Sequence, residues 1–61
     1  MAFTAVEKQK EAEREARMRE RVFASLVRNG GMSQSAADRR IAIMKSIAED
    51  YAALVEKERL L

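Results

Sequence analysis

The only two glycines of this chain are adjacent, at Gly30 and Gly31, and the chain contains no proline. Glycine and proline most often interrupt regular secondary structure, so the sequence has one interruption and two continuous segments. Both segments are rich in Ala, Glu, Lys, Arg and Met, which favour the α-helix. The pattern predicts a first helix over about residues 4–28, a loop over about residues 29–33 and a second helix over about residues 34–60.

The residues around the loop carry signals that end one helix and begin the next. Asn29 and Gly30 tolerate the left-handed backbone conformation that closes a helix. Ser33 or Ser35 can cap the second helix, because a serine oxygen accepts a hydrogen bond from a free backbone N–H. A loop this short turns the second helix back along the first. We therefore predict an all-α fold, an antiparallel two-helix hairpin that forms a single domain over residues 1–61.

Each predicted helix carries a line of small and apolar residues that recurs every three or four positions, the heptad pattern of a helix–helix seam. With the loop centred near residues 31 and 32, residues that face each other across the seam have numbers that sum to about 64. Ala16 then faces Ala48, and Phe23 faces Ile41. The predicted seam consists of Ala5, Gln9, Ala12, Ala16, Phe23 and Val27 on the first helix and Ala37, Ile41, Met44, Ala48, Tyr51 and Val55 on the second.

Each helix also carries a second apolar line, displaced by about 100° around the helix from the seam. Because the helices run in opposite directions, both second lines should emerge on the same side of the hairpin. Small chains without disulfides usually gain the burial they lack by oligomerising. We therefore predict a homodimer in the form of a four-helix bundle. Its predicted dimer interface consists of Met18, Val22, Leu26, Ile43, Ile47, Leu54 and Leu61.

The composition disfavours catalysis and metal binding. The chain has no cysteine and no histidine, so it lacks thiolate ligands, the commonest zinc ligand and the usual proton shuttle at neutral pH. The glycine pair lacks the lysine and the preceding strand of a phosphate-binding loop. We expect no catalytic residue, no metal site and no cofactor, and we interpret the chain as a binding protein rather than an enzyme.

Charged residues dominate residues 7–21. One interpretation is a solvated helix face, held by ion pairs between residues four apart, such as Glu15 and Arg19. The other is that arginines contact an acidic partner protein or, less favourably, a nucleic acid, since the net charge is only +2 and no aromatic residues interleave with the arginines. Arg19 and Arg40 fall on the apolar side, where they can pair with Glu15 or Glu58. The candidate partner-binding residues are Arg14, Arg17, Arg19, Arg21 and Arg40.

Residues 19–51 resemble a group of short proteins encoded by phages and prophages of Gram-negative bacteria. The pattern of that group is an arginine-rich lead-in, Val with an aromatic residue, a glycine followed by Met and Ser or Thr, then Ala-Asp-Arg, Ile-Ala, Met and Asp-Tyr. The chain departs from it at Ala24, where relatives have proline, and at the doubled glycine. The matching residues are Arg19, Arg21, Val22, Phe23, Val27, Gly31, Met32, Ser33, Ala37, Asp38, Arg39, Ile41, Ala42, Met44, Asp50 and Tyr51.

The resemblance implies a phage gene product without a settled activity. By analogy with small early phage proteins, which often bind and disable a host protein, we expect the chain to bind and modulate or inhibit a protein of its bacterial host, such as a quorum-sensing transcription regulator or a motility component. Two alternatives stay open: a small four-helix-bundle protein that binds nucleic acid, and a structural or assembly subunit of a phage particle. The chain has no apolar run of about 18 residues and no signal-peptide pattern, so we expect no membrane partner and a location in the cytoplasm of the host cell.

Overall fold

A computed structural model describes residues 2–61, which form two α-helices joined by a short loop. Helix α1 spans Ala5–Arg28, and helix α2 spans Gln34–Arg59. Lys8, near the start of α1, lies over the ring of Tyr51 in the later part of α2, whereas Glu20 pairs with Lys45 nearer the loop. These contacts require antiparallel helices, so the predicted all-α hairpin is confirmed. The hairpin is a flat slab of 48 × 21 × 15 Å.

A hydroxyl side chain caps the N-terminus of each helix. Thr4 Oγ1 accepts a hydrogen bond from the Glu7 N–H at 3.1 Å, and Ser33 Oγ accepts one from the Ala36 N–H at 3.1 Å. Because Thr4 has the capping role, α1 begins one residue later than the sequence pattern predicted. Of the two serines that could cap α2, Ser33 does so, and Ser35 lies inside the helix.

The Thr4 cap is reciprocal, because Glu7 bonds back to it. The Glu7 carboxylate accepts a hydrogen bond from the Thr4 backbone N–H at 3.0 Å, which completes a capping box. This bond, together with a second one from the Thr4 hydroxyl, lowers the pKa of the Glu7 carboxyl. The stabilisation is therefore present above the ordinary pKa of a glutamate and is lost as the pH falls through the lowered value.

The turn that follows α1 depends on one glycine. Asn29 keeps a right-handed conformation with φ −87°, and the left-handed residue is Gly30, with φ +79°. The Gly31 N–H then donates to the Leu26 carbonyl at 2.9 Å, which satisfies one of the free carbonyls at the end of α1. Gly30 is thus the position where the loop needs the backbone freedom of glycine.

We expect Gly30→Ala to lower the free energy of unfolding by about 1–2 kcal/mol, because a Cβ disfavours the left-handed conformation. Crowding is not the cause, since nothing lies within 4 Å of the added Cβ. Gly31→Ala is the matched control, because its added Cβ would meet the Leu26 side chain at an ordinary 3.5 Å. Thermal unfolding followed by circular dichroism should show a lower Tm for Gly30→Ala alone. Equal Tm values for the two variants would contradict the role given to Gly30.

The interface between α1 and α2 is built on alanine. Every residue of the predicted seam is buried or half-buried, which confirms the seam pattern. Alanine lets the two helix axes approach closely, but it removes little apolar surface from water. Within residues 2–61 no large side chain is fully buried, so the core of the hairpin is thin. The buried residues are Ala5, Ala12, Ala16, Ala37 and Ala48.

Candidate functional site: an exposed apolar face

Six large apolar side chains outside the seam form an exposed surface that we call the apolar face. Their exposed fractions lie between 36% and 48%. Monomeric proteins rarely expose apolar surface this concentrated, and such surface commonly marks an interaction site. The apolar face consists of Met18, Val22 and Leu26 on α1 and Ile43, Ile47 and Leu54 on α2.

Both helices contribute to the same side of the hairpin. Met18 and Val22 of α1 line a shallow groove together with Arg40 of α2. Ile43 and Ile47 follow Arg40 by about one and two helical turns, so they share its side of α2. The groove on the opposite side has different lining residues, mostly charged. The geometry therefore brings the two second apolar lines together, as their spacing predicted.

Leu61 does not belong to the apolar face. Helix α2 ends at Arg59, and Leu60 forms its C-terminal cap. The helical spacing that placed Leu61 in the predicted dimer interface therefore stops before it reaches that residue. Its side chain is 99% exposed.

Two arginines lie where the apolar face meets the seam. The Arg19 Nε donates to the Glu15 carboxylate at 3.1 Å, and the Arg19 guanidinium also donates to the backbone carbonyl of Arg40 at 3.0 Å. Arg19 therefore links the two helices, and its side chain is only 23% exposed. The Arg40 guanidinium lies over the Phe23 ring, 5.6 Å from its centroid, where the ring quadrupole attracts a cation. Together with the Glu15 carboxylate, they place charged groups at the margin of the apolar face.

The other candidate arginines point elsewhere. Arg14 is 68% exposed, and Arg17 lines the groove on the opposite side of the hairpin. At about 100° per residue, Arg14, Arg17 and Arg21 share a side of α1 that lies outside both the seam and the apolar face, which we call the outer side of α1. The structure thus divides the five candidate arginines into two sets. Arg19 and Arg40 adjoin the apolar face, and the other three lie on the outer side of α1.

The groove opposite the apolar face is lined by residues of both signs. Arg17 and Lys45 lie there with Glu13, Glu20 and Glu49. Lys45 and Glu20 form an ion pair at 2.7 Å, and each side chain is about half exposed. Exposed pairs of this kind stabilise a fold by about 0–1 kcal/mol. This side of the hairpin is therefore a solvated surface with charges of both signs, whereas the apolar face consists of large apolar side chains.

Two contacts between a cationic side chain and an aromatic ring were not predicted from the sequence. They are the stacking of Arg40 on Phe23 and of Lys8 on Tyr51, each at 5.6 Å. The first had a signal in the sequence, because the predicted register placed Phe23 opposite residue 41, the neighbour of Arg40. The second depends on how far a lysine side chain reaches across the seam, which spacing alone does not determine.

Metal-binding groups and membrane-spanning helices are both absent from residues 2–61. Residues 2–61 contain no group of three or more Asp or Glu side chains placed to hold a metal ion. Neither helix in this range combines the length and the apolar character needed to cross a membrane.

Comparisons of the chain with models of protein families, with curated proteins and with solved structures give no match. The resemblance of residues 19–51 to phage and prophage proteins therefore stays a prediction from the residues themselves.

Proposed function

We propose that this chain is a non-enzymatic protein-interaction module of phage type. It forms a homodimer, a four-helix bundle, through the apolar face, and it binds and modulates or inhibits a bacterial host protein. The observation that carries the proposal is an exposed apolar face on a hairpin whose buried residues are all alanine. A chain with so little buried surface needs a second protein surface to offset the entropy lost on folding.

The exposed surface area of the hairpin supports a second copy of the chain as the protein that covers the apolar face. The hairpin exposes 4886 Å². A compact monomer of its mass, 6.9 kDa, exposes about 4,000 Å². The excess of about 900 Å² is close to the roughly 800 Å² that each partner buries in a standard interface. One further copy, seated on the apolar face, would remove an excess of this size.

The outer side of α1 stays uncovered in such a bundle and is the surface we assign to the host protein. Arg14, Arg17 and Arg21 recur there at spacings of three and four, and all three are exposed. Charges at the margin of an interface chiefly set the encounter rate and the choice of partner. The dimer would bind an acidic surface of the host protein and inhibit it by covering that surface. The resemblance suggests a quorum-sensing transcription regulator or a motility component.

Reversing Arg17 and Arg21 to glutamate should weaken binding to the host protein by about tenfold or more, because complementary charge becomes repulsive. The target is first identified by affinity purification and mass spectrometry, and it is then titrated in purified form at two salt concentrations. Helical signal and dimer mass should persist, since both residues lie outside the apolar face.

The matched control reverses Arg39 and Lys57, which are exposed cations on α2, and so makes the same change in net charge. The control should bind like the parent chain. Equal losses in the two double variants would show a general charge effect, and unchanged affinity in both would remove the outer side of α1 from target binding.

Nucleic-acid binding is a second candidate function with one observation in its favour. Lys10 and Arg28 fall on the same outer side of α1 as Arg14, Arg17 and Arg21, so five exposed cations follow one line along the helix. Phosphates bind such lines with affinities that fall steeply as salt rises. A gel shift of duplex DNA or RNA that weakens with salt would favour this function, and no shift at low salt would exclude it.

A further inference from the structure

The charges on the side of the apolar face are separated by sign along the hairpin. Arg19 and Arg40 lie in the half nearer the loop, which we call the loop end. Carboxylates on this side lie in the other half, nearer the two termini, which we call the open end, together with Lys8. Helical spacing places four carboxylates on this side. They are Glu11, Glu15, Asp50 and Glu58.

The apolar centre of the face does not by itself fix how a second copy would be oriented. Met18 and Ile47 lie within two residues of the midpoints of α1 and α2. A second copy can place its own Met18 and Ile47 over these residues in two ways. The two-fold axis runs along the hairpin in the first way and across it in the second.

The two orientations bring different charges together. With the axis along the hairpin, the two loop ends meet, and Arg19 and Arg40 of one copy approach the same arginines of the other. With the axis across the hairpin, the loop end of each copy lies on the open end of the other, where Glu11, Glu15 and Asp50 are found. Like charges that face each other in an interface cost several kcal/mol, whereas opposite charges steer association and fix the register.

Arg40 is the arginine that is free to pair across the interface. Arg19 is already bonded to Glu15 within its own chain at 3.1 Å, whereas Glu11 has only a long, exposed contact with Arg14 at 3.9 Å. The ion pairs formed within residues 2–61 do not include Arg40, and its stacking on Phe23 leaves the guanidinium edge able to donate hydrogen bonds. A carboxylate that arrives from a second copy would meet a cation that has no ion-pair partner within residues 2–61, beside Met18 and Val22 of the apolar face.

We propose that a second copy of this chain covers the apolar face in the antiparallel orientation, with the loop end of each copy on the open end of the other. Arg40 of each copy then faces Glu11 and Asp50 of the second copy. The inference rests on the dimer proposed above and fixes its geometry. In this bundle α1 lies beside α1 and α2 beside α2, so the outer sides of the two α1 helices lie on the same side of the dimer.

Distances between spin labels test the orientation. The chain has no cysteine, so a single introduced cysteine can be labelled at one site. In Asn29→Cys the labels at the two loops should be about 30–40 Å apart in the antiparallel dimer and less than about 20 Å apart in the parallel one. In Ser46→Cys, near the middle of α2, both orientations give a measurable distance between copies.

The two labelled positions test the existence of the dimer and its orientation separately. A long Asn29→Cys distance with a measurable Ser46→Cys distance supports the antiparallel dimer. A short Asn29→Cys distance overturns the orientation but leaves the dimer standing. No distance between copies at either site overturns the dimer itself.

A charge reversal gives a second test. Arg40→Glu should raise the dimer Kd by about tenfold in the antiparallel orientation, because a glutamate would then face Glu11 and Asp50. In the parallel orientation the same change would relieve repulsion between arginines and lower the Kd. Arg21→Glu, an equal charge change at an exposed residue on the outer side of α1, is the control. A Kd for Arg40→Glu equal to or below that of the control overturns the proposal.

Discussion

Replacing Ile47 with glutamate is expected to abolish the proposed dimer. Ile47 lies near the middle of α2 and contributes to the apolar face, with 37% of its surface exposed. In the dimer each new carboxylate would move from water into apolar surface, and burying an unpaired charge costs several kcal/mol. Because the hairpin alone buries only alanine, the dissociated chain should also lose much of its helical signal.

Light scattering and circular dichroism at micromolar concentration measure both effects. The control is Ala42→Glu, which introduces the same charge on the same helix at an exposed position away from the apolar face. This control should keep the mass and helicity of the parent. If Ile47→Glu also keeps both, the apolar face is not the dimer interface.

The second large effect is expected from Ala16→Leu, which should destabilise the chain by about 1–3 kcal/mol through overpacking of the seam. Ala16 is 5% exposed and Ala48 is 8% exposed, and the two residues line the same groove between the helices. Because both alanines are almost fully buried, the extra carbons of a leucine at position 16 must push the helix axes apart or turn outward into the groove, and either outcome disturbs the seam. Movement of the axes would separate the interhelical ion pair of Glu20 with Lys45.

Ala24→Leu is the matched control for this change. Ala24 is exposed on the same helix, so a leucine there should change the melting temperature little. Thermal unfolding at equal chain concentration compares the two variants. Equal melting temperatures, or a lower one for Ala24→Leu, would show that the register with Ala16 opposite Ala48 is wrong.

The hairpin could be predicted from the sequence because its signals are local and agree with one another. The single interruption at Gly30 and Gly31 fixes two helices, and the spacing of the seam fixes which sides of them meet. The same spacing predicted the observed burial of Ala16 and Ala48. The helix start was misplaced by one residue, because Thr4 acts as a cap and not as the first residue of α1.

The arrangement of the arginines was harder to predict. Arg17, Arg19 and Arg21 are neighbours in the sequence, but a rotation of about 100° per residue sends Arg19 to one side and the others to another. The hydrogen bond from Arg19 to the Arg40 carbonyl depends on the distance between the helix axes, which the alanine seam sets. The distance between the helix axes cannot be obtained from the spacing of residues in the sequence.

The function of this chain is harder to predict from its sequence than the fold is, and the reason is physical. A catalytic or metal site requires particular residue types at particular spacings, and such patterns can be recognised in a sequence. An apolar face requires only enough apolar side chains on one side of a helix. Such a face is typical of an interaction site, but its residue pattern does not specify the shape or the charge of a partner.

Sedimentation equilibrium of the parent chain, over a range of micromolar concentrations, tests most directly whether a second copy covers the apolar face. The proposed dimer predicts a molar mass of twice 6.9 kDa, which falls toward the monomer mass on dilution together with the helical signal, because folding and association are coupled. A mass of one chain with full helicity throughout that range would contradict it.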